Sequence, residues 1–279
     1  MKSGSTGEVE AMKIAAEPES TDLPSFRLDD RLAIITGASQ GIGRALALAY
    51  SRAGAEIVLV SRNRARLLEV EHLITMSGGT SHVITADVSQ RDDIHLLAAS
   101  VSALVKERDV SLILVNNAGG AFTKAAFEVT EEDWDRVFDL HAKGTFFCSQ
   151  SLARLMIERK YGKIINMSST WSASTDDGKA VYGAAKAAIS YMTAALSTEW
   201  APLGVRVNAL APTATLSDNT RRNMEENPSR AQRLLSRIKL GRFAEPSDLV
   251  GAAIFLASPA SDFITGHTLF VDGGWHAGW

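Results

Sequence analysis

From Arg31 to the last residues, short apolar runs rich in β-branched residues alternate with longer helix-like stretches, and this alternation limits the chain to very few architectures. LAIITG, EIVLVSR, SHVITADV, SLILVNNAG, GKIINMSS, VRVNALAP and HTLFVDGG have the composition and length of strands. Between them GIGRALALAYSRAG, ARLLEVEHLITMSGG, DDIHLLAASVSALVKERD, AVYGAAKAAISYMTAALSTEWAPLG and DLVGAAIFLAS have helical character, and 131–160 is expected to form one long helix with Gly144 inside it. Apolar runs without strict alternation belong to strands buried on both faces. Strands that alternate with helices build a parallel sheet between helical layers. The pattern therefore predicts an α/β protein: a single-domain, Rossmann-type doubly wound fold with a seven-stranded parallel sheet and helices on both faces. No Pro/Gly-rich linker divides it, and 279 residues with 46% hydrophobic content suffice for one full core.

Residues 1–25 differ from the rest. They are rich in Ser, Glu, Gly and Pro without apolar periodicity, and are expected to be a mobile N-terminal extension. They lack the apolar run of a signal peptide. The net charge of −3 provides no long-range attraction to nucleic acid or to an anionic membrane, so neither is an expected partner. No apolar run is long enough to span a bilayer. The single cysteine, Cys148, excludes an internal disulfide and a cysteine metal cluster, and no metal is expected. It sits in an apolar stretch as a small buried hydrophobe, in keeping with a cytoplasmic location.

Two places in this framework carry chemistry. In VYGAAKAAI, Tyr182 and Lys186 are four residues apart, and Ser169 lies thirteen before the tyrosine. A helix brings positions i and i+4 onto one face, so the Lys186 ammonium is expected beside the Tyr182 phenol. A nearby positive charge favours phenolate and lowers the pKa from about 10. Such a pair suits proton transfer to or from a carbonyl or alcohol oxygen. On spacing alone, Tyr and Lys are also common neighbours on a helix surface.

The second place is the turn after the first strand, TGASQGIG, followed at once by a helix. Gly37 lets the chain turn sharply, while Gly41 and Gly43 let the backbone approach a pyrophosphate and let the helix pack close to the sheet. Ser39, Gln40 and Ile42 complete the turn, and the helix N-terminus offers free N–H groups to an anion. At the end of the second strand, Ser61 and Arg62 stand where an acidic residue would meet a ribose 2′-hydroxyl. An Arg there suits a 2′-phosphate, which favours NADP(H), with NAD(H) as the alternative.

Taken in order, TGASQGIG, Asp87–Val88, NNAG at Asn116–Gly119, Ser169 with Tyr182 and Lys186, and VDGG at Val271–Gly274 resemble the short-chain dehydrogenase/reductase family over roughly 26–274. The C-terminal stretch is similar to members such as gluconate 5-dehydrogenase and 3-oxoacyl carrier-protein reductase. The resemblance implies hydride transfer between a ketone and a secondary alcohol, with Tyr182 as general acid or base and Ser169 holding the substrate oxygen. Lys186 would tune the phenol and bond the nicotinamide ribose. Asp87 and Val88 would meet the adenine, and Asn116, Ala118 and Gly119 would border the cofactor. The segment from Pro212 would cover the carboxamide, with Thr215 or Ser217 bonding the cofactor. A homotetramer, or alternatively a dimer, is implied by the apolar helices around 134–159 and 182–200.

Two positions depart from the family pattern. His141 stands where an Asn is usual, and either continues a water relay to Lys186 or is simply a packed histidine. Thr213 replaces the usual Gly after Pro212. These departures are the support for the competing reading, a cofactor-binding sensor or scaffold with little turnover. Residues 213–240 are expected to form a substrate lid over a pocket that includes 171–177. Arg221, Arg222 and Arg230 either attract an anionic substrate or are solvated helix charges.

Overall fold

The computed structural model describes residues 23–278. The predicted extension at 1–25 falls mostly outside the described residues. Leu23 to Ser25 are exposed, and the chain enters the fold at the fully buried Leu28.

The elements follow in the predicted order: β1 (Arg31–Thr36), α1 (Gly41–Arg52), β2 (Glu56–Ser61), α2 (Arg64–Met76), β3 (Ser81–Thr85), α3 (Arg91–Val105) and β4 (Ser111–Asn116). Then come α4 (Glu131–Phe138), α5 (Gly144–Glu158), β5 (Gly162–Met167), α6 (Ala180–Trp200), β6 (Val205–Pro212), α7 (Asp218–Glu226), α8 (Pro228–Arg237), α9 (Val250–Ala257) and β7 (Thr268–Val271). The seven strands form one parallel sheet in the order β3-β2-β1-β4-β5-β6-β7.

Side chains alternate across a strand with period two, and both sets are apolar here. On β1, Ala33 and Ile35 face a core completed by Leu46 and Tyr50 of α1, Leu67 of α2 and Leu256 of α9. Leu32 and Ile34 face the other way, toward Leu97 of α3, Leu152 of α5 and Leu196 of α6. Each fully buried Leu, Ile or Val contributes about 1.5–3 kcal/mol relative to exposure. Cys148 belongs to the second core, and burial pushes its thiol up to about 12.

The strand order reverses between β1 and β4, so the connections leaving these strands diverge. A crevice opens at their carboxyl ends, as in other doubly wound sheets. The residues singled out from the sequence cluster there.

The helix predicted over 131–160 forms over 131–158, with a change of winding inside it instead of one regular α-helix. A π-helical turn at Asp139–Lys143 separates α4 from α5. Such turns widen one helical turn by a residue and are frequent at functional sites. Here the turn places His141 in the crevice wall. The polar stretch after β6 forms two helices, α7 and α8. Leu234 of α8 and Ile238 just after it pack on Trp275, and Trp171 and Phe243 flank that cluster.

Candidate active site

The turn between β1 and α1 is held from below by the end of β4. The Thr36 hydroxyl accepts from the N–H groups of Asn117 and Ala118, each at 3.0 Å, and donates to the Val115 carbonyl at 3.3 Å. The Asn117 side chain donates to the Thr36 carbonyl at 2.9 Å. Gly37 has φ of +66°, which a residue with a Cβ rarely adopts, and a Cβ on Gly43 would lie 2.3 Å from the Gly37 carbonyl oxygen. Gln40 caps α1 without a side-chain hydrogen bond, and the first turn holds no acidic residue. The leading N–H groups of α1 therefore face the crevice with the positive end of the helix dipole and no side-chain acceptor. This cradle fits the pyrophosphate of a dinucleotide.

Beside it, Ser61 and Arg62 end β2, and Asp87 and Val88 follow β3 on the same wall. The Arg62 side chain is 75% exposed and reaches Asp87 at 3.5 Å. Burial alone would raise the Asp87 pKa, but hydrogen bonds from Ser89 and the charge of Arg62 outweigh it and hold the carboxyl below its usual range. Arg66 of α2 also lines this end and donates to the Gln40 side chain. No acidic residue occupies the tip of β2 itself.

The crevice, about 580 Å³, continues past Ala118 and Gly119 to Ser169, Tyr182 and Lys186. Tyr182 and Lys186 both project from α6 into this space, with the Lys186 Nζ 5.7 Å from the centroid of the phenol ring. Lys186 is buried and donates to the Met167 carbonyl at 2.7 Å. The expected depression of the phenol pKa is not found. Burial pushes Tyr182 up to about 12, and the Ser169 hydroxyl only partly opposes it. Burial also pushes Lys186 down to about 7, which weakens the cation expected to stabilise phenolate.

His141 meets the Tyr182 ring edge-on, with ring centroids 5.4 Å apart. Its Nε2 is 3.1 Å from the Gly120 carbonyl, an acceptor only, so Nε2 carries the proton and Nδ1 is the bare nitrogen. That Nδ1 is buried with no partner among the described residues. Burial, and then the charge of Lys186, push His141 down to about 3, so it is neutral. The ring lies against Gly119, where a Cβ would sit 2.5 Å from its Cε1.

Pro212, Thr215 and Ser217 border the crevice beyond β6. Thr215 donates to the Thr213 carbonyl at 3.0 Å, and the Ser217 hydroxyl caps α7 by accepting from the Thr220 N–H. Thr213 keeps a buried hydroxyl without a partner among the described residues, on the same wall.

Two predicted contacts fall elsewhere. Asn116 does not border the crevice. The last position of β4 turns its side chain into the layer under the sheet, where it donates to Ser149 and Asn166, each at 2.9 Å. Its neighbour Asn117 faces the crevice instead. Gly43 likewise supports the turn by close packing without lining the space. Of the three arginines considered for an anionic substrate, only Arg230 lines the crevice; Arg221 is paired with Glu245 at 2.8 Å. Lys179 and Trp275 line the substrate end and were not singled out from the sequence. Lysine three residues before the tyrosine was the available signal for the first.

A family profile described as "Enoyl-(Acyl carrier protein) reductase" matches residues 37–276. The chain is 40% identical over 256 residues to the 2-dehydro-3-deoxy-D-gluconate 5-dehydrogenase of Dickeya dadantii (strain 3937), covering 91% of this chain and 99% of that protein. It is 35% identical over 250 residues to an NAD-dependent glycerol dehydrogenase of Listeria innocua, covering 90% of this chain and 95% of that protein. The crystal structure of a Burkholderia cenocepacia J2315 gluconate 5-dehydrogenase in complex with NADP and tartrate superimposes with a TM-score of 0.85 at 35% identity, covering 91% of this chain and 98% of that one.

Proposed function

The chain belongs to the short-chain dehydrogenase/reductase family, and from that premise we propose that it is an NADP(H)-dependent oxidoreductase interconverting a ketone and a secondary alcohol, with Tyr182 as the proton donor and acceptor. The observation that carries this reading is the convergence in one crevice of a phenol, a hydroxyl and a buried amine, Tyr182, Ser169 and Lys186, beside a helix N-terminus free of side-chain acceptors. When bound, the nicotinamide ring supplies or accepts the hydride and, in its oxidised form, adds a positive charge near the phenol.

The residues divide the remaining work. The Ser169 hydroxyl holds the substrate oxygen against Tyr182. In reduction, the high pKa keeps the phenol protonated at neutral pH, so it is the ready general acid as charge develops on the carbonyl oxygen. In oxidation, the phenol must first lose its proton. Lys186, pushed down to about 7, can take up and return a proton near physiological pH. His141 presents its bare Nδ1 to the same interior and is proposed to hold a water in the relay to Lys186. The partnerless Thr213 hydroxyl suits the carboxamide end of the cofactor, with Thr215 and Ser217 bordering it. Arg62 and Arg66 favour the 2′-phosphate, and the NADP-bound relative supports this choice over the NAD-dependent one. The α7–α8 stretch would serve as the lid over the substrate, and Lys186 would also bond the nicotinamide ribose.

The test is NADPH oxidation with a panel of polyhydroxy ketones. Tyr182→Phe is expected to lower kcat by about 10²–10⁴-fold while NADPH affinity is kept. Undiminished turnover in that variant rejects the acid assignment. Binding of NADPH with no turnover by the wild-type protein would favour the sensor reading. Phe146, Ile157, Leu196 and Trp200 line an open groove on α5 and α6. A homotetramer paired through these helices is proposed, and light scattering at the mass of one chain would refute it.

A further inference from the structure

At the far end of the crevice from Arg62, two cations converge on one neutral hydroxyl. Lys179 immediately precedes α6 and is only 6% exposed. Its Nζ donates to the Phe122 carbonyl at 2.9 Å and to the Thr123 hydroxyl at 2.8 Å. Arg230 of α8 donates to the same Thr123 hydroxyl at 3.0 Å. A buried lysine ordinarily has a carboxylate partner. Among the described residues Lys179 makes no salt bridge. Asp176, the nearby acid, is engaged by Arg233 at 3.4 Å. Burial, and then the charge of Arg230, push Lys179 down to about 8, with Asp176 partly opposing them. Among the described residues the fold thus holds two like charges together with only partial relief from Asp176 and no acid in contact with Lys179.

Among the described residues, Lys179 keeps a donor without a partner at the crevice wall. An ammonium has three N–H donors, and two are taken by neutral acceptors. The Thr123 hydroxyl accepts from both cations, so its own proton remains to be donated onward. Lys179, Arg230, Trp171 and Trp275 all line the crevice that holds Tyr182. The Nζ of Lys179 is 5.1 Å from the centroid of the Tyr182 ring. Trp171 and Trp275 meet edge to face at 5.2 Å and form an apolar wall beside it. A cofactor phosphate does not account for the pair. Arg62 follows β2 and the pyrophosphate turn follows β1, whereas Ser169 and Lys179 follow β5, three and two strands away in the sheet. At about 4.8 Å per strand, that is about 14 Å and about 10 Å across the sheet.

We propose that Lys179 and Arg230 form a subsite for a carboxylate of the substrate, so that the enzyme acts on hydroxy and keto acids in preference to neutral polyols and ketones. The inference rests on the oxidoreductase reading of Tyr182 and extends it to the substrate's charge. The relatives do not decide the matter, because one is named for a sugar acid and another for glycerol. The two sites lie close together, so the carboxylate and the reacting carbon belong to one small molecule and are separated by a few bonds.

The test compares matched pairs that differ in one charged group: D-gluconate with D-glucitol, and D-erythronate with erythritol. Turnover is followed with NADP, and binding by tryptophan fluorescence with NADP present. The wild-type protein should prefer the acid in at least one pair. Lys179→Met and Arg230→Met should each lower the acid-to-polyol ratio of kcat/KM about tenfold to a hundredfold, the range for hydrogen bonds to charged groups. NADPH affinity should be kept, and Lys179→Arg should restore part of the ratio. Arg230 lies on the partly exposed α8, so its variant remains informative if Lys179→Met does not fold. A wild-type protein with no acid preference in either pair, by turnover or by binding, overturns the subsite, as does a preference that survives both variants. Charge-dependent binding that needs Lys179, in a protein that turns over neither member, would instead leave the subsite standing and refute the oxidoreductase reading.

Discussion

At one end of the crevice, the segment from Thr36 to Gly43 meets its ligand with backbone N–H groups, and its shape is set by glycines and by Asn117 just beyond β4. At the other end, Lys179, Arg230 and Trp275 come from segments tens of residues apart and line the crevice with side chains, and Thr123 joins the two cations. The first end needs only this turn and the end of the adjacent strand β4. The second requires β5, α6, α8 and the C-terminal segment to be docked together. A local, backbone-built site tolerates little change in shape but much change in surface charge. An assembled site can be re-specified one side chain at a time. This difference provides a physical reason why one fold can keep its cofactor while its substrate changes.

The contrast is tested most strongly at Gly43. A Cβ there meets the Gly37 carbonyl oxygen and backbone carbon, which cannot rotate away. Gly43→Ala is expected to cost about 1–3 kcal/mol of overpacking and to weaken NADPH binding by tenfold or more, read by thermal melting and fluorescence titration. Unchanged affinity would mean that the turn is not the rigid end. A smaller effect is expected from charge at the same end. Arg62→Asp should move cofactor preference about tenfold toward NAD, because it removes a donor and opposes a phosphate. Equal NADPH affinity in that variant would remove Arg62 from phosphate recognition and shift attention to Arg66.

The smallest effect is a pH dependence confined to the substrate end. Lys179 has its pKa lowered from 10.5 to about 8, so it is charged below pH 8 and neutral above. The acid-to-polyol ratio of kcat/KM should therefore be full near pH 6.5 and fall severalfold as pH rises through 8, and Lys179→Met should flatten the curve. The surrounding groups do not mimic this change. Of the groups nearest to it, Arg230 shares the Thr123 hydroxyl, and the Asp176 side chain is already paired with Arg233. His141 is neutral above about 3, and Tyr182 titrates near 12. Lys186, near 7, serves acid and polyol alike and cancels in the ratio. A flat ratio across pH 8 in the wild-type protein would separate the lysine's charge from specificity.

What could be read from the sequence follows the same division. The strands were visible because a sheet buried on both faces demands continuous apolar runs, and LAIITG or SLILVNNAG can satisfy little else. The phosphate cradle was visible because its residues are contiguous. Asn116 and Asn117 were harder to separate. Which of two adjacent asparagines turns into the layer under the sheet depends on where β4 ends, and strand ends are weakly marked. The π-helical turn at Asp139–Lys143 left no clear sign, since widening a helix by one residue is decided by what packs against it. Lys179 looked like an ordinary polar loop residue, because its burial comes from Phe122, Thr123 and α8.

The sequence by itself determined the layered parallel sheet, the glycine turn after its first strand, and the presence of a phenol, an amine and a hydroxyl suited to proton transfer. These follow from periodicity and short-range geometry, which do not depend on distant segments. Only the tertiary structure decided the protonation of those groups and the charge at the far wall. Burial holds Tyr182 high and Lys186 low, and Lys179 and Arg230 meet only after α8 has docked. Desolvation and the approach of like charges depend on the whole surrounding fold, so they cannot be read from the spacing of residues along the chain.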